Sequence, residues 1–155
     1  MYGRVMVDKI AHLIHLLGFA AFLGAAVAQQ QFMKASSSAS VLPPVRDTYE
    51  RLSAQIVTQV ELPGLIAQLF SGVLFVMQVP GYMKMGWLHG KLLAVLVLLV
   101  LSHLEMFNAR AIARLRQRHG DSMPAEIGKR KKRHLQLGMV GTLTVIALLA
   151  LVTFR

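Results

Sequence analysis

"GWLHGKLLAVLVLLVLSHLE", residues 86–105, sets a lysine and two histidines into a run otherwise suited to lipid. An α-helix rises ~1.5 Å per residue, so a run of this length crosses the ~30 Å hydrocarbon core of a bilayer. Comparable runs occupy 10–32, 57–80 and 135–154. Backbone polar groups in lipid must be paired within their own segment, which selects helices over isolated strands. The sequence therefore predicts an all-α fold. It is an integral membrane four-helix bundle, up-down-up-down, forming one transmembrane domain over residues 1–155.

Composition agrees. The chain has 155 residues, is 55% hydrophobic and carries a net charge of +10. It contains no cysteine, which excludes disulfides, thiolate metal sites, covalently attached c-type haem and iron–sulfur clusters. Nine lysines and arginines fall between Asn108 and His134, against Asp121 and Glu126. The positive-inside rule assigns this basic loop, 108–134, to the cytoplasm and both termini to the periplasmic side, as in a bacterial inner membrane protein. A basic run also suits nucleic acid. Topology and anionic lipid headgroups account for it here, and the bilayer is the expected partner. "AVAQ" at 26–29 resembles a signal-peptide cleavage site. Histidines inside the preceding apolar run argue instead for a retained first span.

The connections carry their own signals. "ASSSAS", 35–40, is a polar patch without an element of its own. "LPPVRDTYERLSAQIV", 42–57, reads as a proline-initiated amphipathic helix at the cytoplasmic surface, feeding the second span. Pro63-Gly64 should bend that span. "VPGYMKMG", 79–86, is a tight turn, and "NARAIARLRQRHG", 108–120, is a helical extension ended by Gly120.

Ionisable residues in membrane spans normally face the bundle interior and mark function. His12, His15, Glu61, His89, Lys91, His103 and His134 are the candidates. His89 and His103 lie 14 residues apart, which puts them on one helix face and about 21 Å apart along the axis. Two haem irons, one toward each membrane face, need such a separation. His15 and His89 sit at matching depth on parallel spans and form one ligand pair. His103 and His134, toward the cytoplasm, form a second. A bis-histidine b-type haem follows, with one site expected and two allowed. His134, beside "KRKKR", reads alternatively as an interfacial basic residue. His12 reads as interfacial and His119 as solvent-facing. Lys91 points about 200° away from His89 at ~100° per residue. It either snorkels to the surface or turns inward as a cation for a carboxylate.

"GWLHGKLLAVLVLL", 86–99, resembles the tryptophan–leucine–histidine–x–lysine signature of the HemJ-type protoporphyrinogen IX oxidases. "HLLGFAAFLG", 15–24, is similar to that family's first span, with His15 at the place of its histidine. "PGLIAQLFSG", 63–72, repeats its proline-to-glycine spacing. The resemblance runs in order over roughly 9–110; related CopD-like membrane families share the apolar pattern with looser motifs. It implies a small helical membrane protein that binds haem b and oxidises protoporphyrinogen IX, with His15 as haem ligand and Lys91 as the functional, catalytic lysine. The family's arginine and histidine after Gly24 are replaced here by "AAVAQQQFMK". Its late arginine…asparagine–glutamate–proline motif gives way to "RKKRHLQLGM".

Expected partners are the bilayer, a porphyrinogen substrate and a quinone acceptor, in a homo-oligomer or a larger membrane complex. Two rivals remain beside the oxidase: an electron-transfer cytochrome with one or two haems, and a non-catalytic accessory subunit. A copper-handling protein is disfavoured by the lack of cysteine but allowed by histidine and methionine.

Overall fold

A computed structural model describes residues 2–153, and the regular structure among them is helical. Helix α1 covers Tyr2–Ala35, α2 Pro43–Ile56, α3 Leu62–Gln78, α4 Gly86–His119 and α5 Pro124–Thr153. A π-helical turn, Val57–Glu61, fuses α2 to α3, and a 3-10 turn, Pro80–Lys84, joins α3 to α4. Four stretches are long and apolar enough to cross a membrane: Met6–Ala35, Pro43–Gln78, Gly86–His119 and Pro124–Leu151. Each contains or closely overlaps one of the expected spans. Phe154, the last residue expected in the fourth span, lies outside the described residues.

The distribution of polarity is that of a membrane protein. Leu13, Leu16, Leu93, Leu96, Leu143 and Ile146 are exposed, whereas Gln29, Glu61, Gln68, Ser71, Ser102, Glu105 and His134 are buried. A water-soluble monomer rarely carries so extensive an apolar exterior. In a bilayer the same arrangement keeps hydrocarbon against hydrocarbon and turns polar groups inward.

The basic segment 108–134 is not a loop. α4 runs unbroken to His119, because nothing between Gly86 and Gly120 interrupts the helix, and α5 begins at Pro124. Only the turn around Gly120, whose φ of 54° suits a residue without Cβ, separates the two arms. Helix α2 is clamped to these arms by Glu50. Its buried carboxylate accepts from Arg116 Nε at 3.0 Å and Nη2 at 3.1 Å. Lys131 Nζ lies 2.6 Å from the same group.

Pro63 acts differently from the expected bend at its own position. It has no N–H to donate, and its ring opposes the carbonyl four residues back. The chain absorbs this one turn earlier, where the Leu62 N–H donates to Val57 O, five residues behind it. A π turn of this kind inserts one residue without breaking the helix.

Two helical pairs build the bundle, α1 against α3 and α4 against α5. Toward the basic end α2 and the π turn knit the pairs together, whereas α3 and α4 touch sparingly. A central apolar layer of Phe22, Leu65, Leu98, Val145 and Leu148 joins the pairs at mid-depth. The closest approach is between α1 and α3. A Cβ on Gly64 would stand 2.8 Å from Phe22 N and 3.0 Å from Gly18 O, so the two backbones are in contact there. Gly64→Ala should therefore force the helices apart and cost about 1–3 kcal/mol, the usual scale of overpacking. Gly24→Ala, where a new Cβ meets nothing within 4 Å, should leave thermal unfolding in the same detergent unchanged. Equal melting temperatures for the two variants would refute the contact.

Candidate functional site

The sparse contact between α3 and α4 leaves a cleft of about 600 Å³ at the end of the bundle that carries the 3-10 turn. His12 and His15 from α1, Gln68 and Phe75 from α3, Tyr82 from the turn, and Trp87 and Lys91 from α4 line it. Val73, Val76, Leu92 and Val95 supply apolar wall.

His15 is held by its second nitrogen. Nδ1 lies 3.1 Å from Gln68 O and 3.0 Å from Ser71 Oγ. A carbonyl oxygen can only accept, so Nδ1 carries the proton and Nε2 keeps its lone pair. The placement follows from the Gly18–Gly64 contact: His15 sits one turn before Gly18, and Gln68 one turn after Gly64. A Cβ on Gly72 would come within 3.8 Å of His15 Cε1, an ordinary van der Waals approach, so this turn of α3 packs beside the ring. His12 Nδ1 donates to Asp8 O at 2.8 Å, and its ring stands 4.4 Å from that of Phe75.

His89 does not join His15. It is exposed, it lies outside the cleft lining, and its Nδ1 donates to Met85 O at 3.2 Å. Matching depth placed the two histidines together, but azimuth separates them. Leu88, Lys91 and Val95 turn the inner face of α4 toward the cleft, and His89 points the other way. Lys91 thus takes the inward of its two expected orientations.

The second expected pair does not form either. His103 is half-buried, its Nδ1 donates to Leu99 O at 2.7 Å, and it lines neither this cleft nor the chamber described next. His134 is fully buried rather than interfacial. It lies ten residues into α5, which starts well before the expected membrane boundary, and packs against α1. Its Nε2 stands 2.5 Å from Gln29 Oε1. Among the described residues no group of three or more histidines and carboxylates is placed to hold a metal ion.

His134 belongs to a different constellation, which the sequence reading did not single out. Gln29 Nε2 donates to Glu105 Oε2 at 3.2 Å, and Gln30 Nε2 donates to Glu105 Oε1 at 2.8 Å. Ser53 Oγ donates to Gln29 Oε1 at 3.3 Å. With its amide nitrogen turned to the carboxylate, Gln29 presents oxygen to His134, whose Nε2 is therefore the protonated nitrogen. Glu61 and Ser102 lie alongside in a chamber of about 370 Å³ between α1, α4 and α5. Glu105 was legible in principle. Leu98, Ser102, Glu105, Ala109 and Ile112 recur at three- and four-residue spacing and are all buried, which is the signature of an inward helix face.

No protein-family model, no curated protein and no solved structure matches the chain.

Glu105 is the acceptor on which two buried amides converge. Glu105→Ala should leave Gln29 Nε2 unpaired and Gln30 Nε2 with only its 3.4 Å bond to His134 O, destabilising the bundle by at least about 1 kcal/mol, given ~1–3 kcal/mol for each buried group left unpaired. His103→Ala removes one donor from a helical carbonyl and should change the melting temperature little. Parallel thermal melts in one detergent decide it; a His103 variant as unstable as the Glu105 variant would contradict the network.

Proposed function

We propose that the chain is an integral membrane redox protein that holds one b-type haem in the cleft beside the 3-10 turn, with His15 as axial ligand. The observation that carries this reading is the state of His15: Nδ1 is tied to Gln68 O and Ser71 Oγ, and the free lone pair is on Nε2. A metal-ligating imidazole is typically oriented by such a second bond.

The residues present fit a tetrapyrrole. The cleft is large enough for one, its walls are largely apolar, and Lys91 lines it as a cation for a carboxylate. His15 and Lys91, which carry the resemblance to the HemJ-type oxidases, line the same cleft from different helices. When bound, haem supplies one-electron chemistry that the side chains lack. The chain's own part is positional. Gln68 and Ser71 fix the ring and tautomer of His15, Val73, Val76, Leu92 and Val95 keep water out, and Lys91 orients an acidic group. One haem fits this arrangement better than two, because His89, His103 and His134 each face elsewhere. Oxidation of a porphyrinogen entering from the bilayer, with its electrons and protons passing to a quinone, is the activity we assign to the cleft, on the resemblance and the placement of Lys91. The basic arms around Gly120 face the cytoplasm in this reading, and the cleft opens toward the periplasmic side of a bacterial inner membrane.

Purified protein should show a Soret band and a sharp α-band on dithionite reduction, with one haem per chain by pyridine haemochrome. His15→Ala should lose most of that haem, and His89→Ala should keep it. Retention in both variants, or no haem in the wild type, would overturn the assignment. Lys91→Met should keep haem while lowering porphyrinogen turnover at least about tenfold, the equivalent of one lost charge-assisted hydrogen bond.

Orientation is open to a separate check, since the chain has no cysteine. A single cysteine at Ser122, exposed in the turn between α4 and α5, should react with a membrane-impermeant maleimide only after permeabilisation. Labelling in intact cells would reverse the topology.

A further inference from the structure

The chamber between α1, α4 and α5 holds a carboxyl oxygen that the fold leaves bare, although Ser102 bonds the same group. Glu61 is 1% exposed, it lines the chamber, and its Oε2 has no hydrogen-bond partner. A buried acceptor left bare costs stability, so the arrangement calls for a donor from outside the chain. The route by which that donor arrives is visible. Leu23, Val27, Ile146 and Leu149 form the chamber's outer rim and are themselves exposed on the lipid-facing surface. The chamber opens sideways to hydrocarbon.

These features narrow the chemistry. A hydrated cation would have to cross the apolar rim, and the described residues include no group of three or more histidines and carboxylates to receive it. A phosphate headgroup offers mainly acceptors, and Glu61 Oε2 and Glu105, which share the chamber, are acceptors already. What remains is a neutral, lipid-soluble molecule with hydroxyl donors. The wall opposite is open at one point: Gly138 is covered by the Gln30 carboxamide, but a Cβ at Gly141 would meet open space. Two carboxylates from different helices suit a ring with a hydroxyl at each end. The volume of about 370 Å³ falls within the ~300–1,000 Å³ usual for small-molecule pockets.

We propose that this chamber is a second site, separate from the His15 cleft, that binds a hydroquinone from the bilayer, with Glu61 Oε2 accepting from one of its hydroxyls. Binding here involves no residue of the cleft and stands whether or not the cleft holds haem. Glu105, already holding Gln29 and Gln30, faces the other end of the ring. The ring lies against the open face at Gly141, and its tail leaves between α1 and α5 into lipid.

The probe is a ubiquinol with a decyl tail, compared with its oxidised quinone and with decanol. Binding is measured by equilibrium partition into nanodiscs with and without the full-length protein. The wild type should bind the quinol saturably, one per chain, and about tenfold more tightly than the quinone, as expected when one hydrogen bond to a charged acceptor is missing. Decanol should show no saturable component. Gly141→Leu, which projects into open space, should abolish quinol binding without lowering the melting temperature. Glu61→Gln offers an N–H to a quinone carbonyl and should bring quinol and quinone to nearly equal affinity. His15→Ala should bind quinol as the wild type does, so a failed haem assignment and a failed quinol site give different results. Absence of saturable binding, binding that survives Gly141→Leu, or an unchanged quinol preference in Glu61→Gln would each overturn the proposal.

Discussion

Contact between the α1 and α3 backbones at Gly18 and Gly64 sets the register from which much of the molecule follows. A Cβ on Gly18 would stand 2.8 Å from Gly64 O and 2.9 Å from Gln68 N, so neither helix can slide without separating. Membrane helices gain nothing from the hydrophobic effect when they pair, and close packing through small residues takes its place. That register puts His15 against Gln68 and Ser71. Farther along α1, and across the π turn on α2, it also puts Gln29 against Ser53. The π turn before Pro63 lies between these two meetings. It lets one continuous helix satisfy both despite a proline that an ideal α-helix would not accept.

Rotation of α4 about its own axis has comparable reach. With Leu88 buried, Lys91 must face inward and His89 outward, since they are about 200° apart at ~100° per residue. The same rotation carries Ser102 and Glu105 to the interior and leaves His103 beside them on a flank. An inward lysine is costly in hydrocarbon unless a counter-charge or a polar cavity receives it. The cleft provides such a cavity, lined by Gln68, Tyr82 and Trp87.

The spans were legible because length and hydropathy are local properties, and the proline start of α2 and the glycine stop of α4 were legible for the same reason. Depth along each helix could also be read, and the structure sets His15 and Lys91 on one cleft and buries Glu61. Azimuth could not be taken from one residue at a time. It depends on which face a whole helix buries, and His89 and His103 were placed by depth alone. His134 was misread because a run of lysines and arginines ordinarily marks the membrane boundary. Here Lys131 turns inward to Glu50 and Ser36, carrying that part of α5 into the bundle with it. Glu105 was overlooked for the opposite reason. It stands two residues from His103 at the end of an apolar run, and only the periodicity that it shares with Leu98 and Ser102 marks it as inward-facing.

The two polar regions lie on either side of the apolar layer of Phe22, Leu65, Leu98, Val145 and Leu148. Such a layer offers ordered water none of the two or more polar partners it needs, and it carries no polar side chain to link Glu61, Glu105 or His134 with His15 and Lys91. Toward the basic end the polar contacts continue instead, where Gln29 meets Ser53 and Glu50 on α2 holds Arg116 and Lys131. Polar groups at the two ends of the bundle are thereby kept separate, and the separation rests on side chains from all four spans.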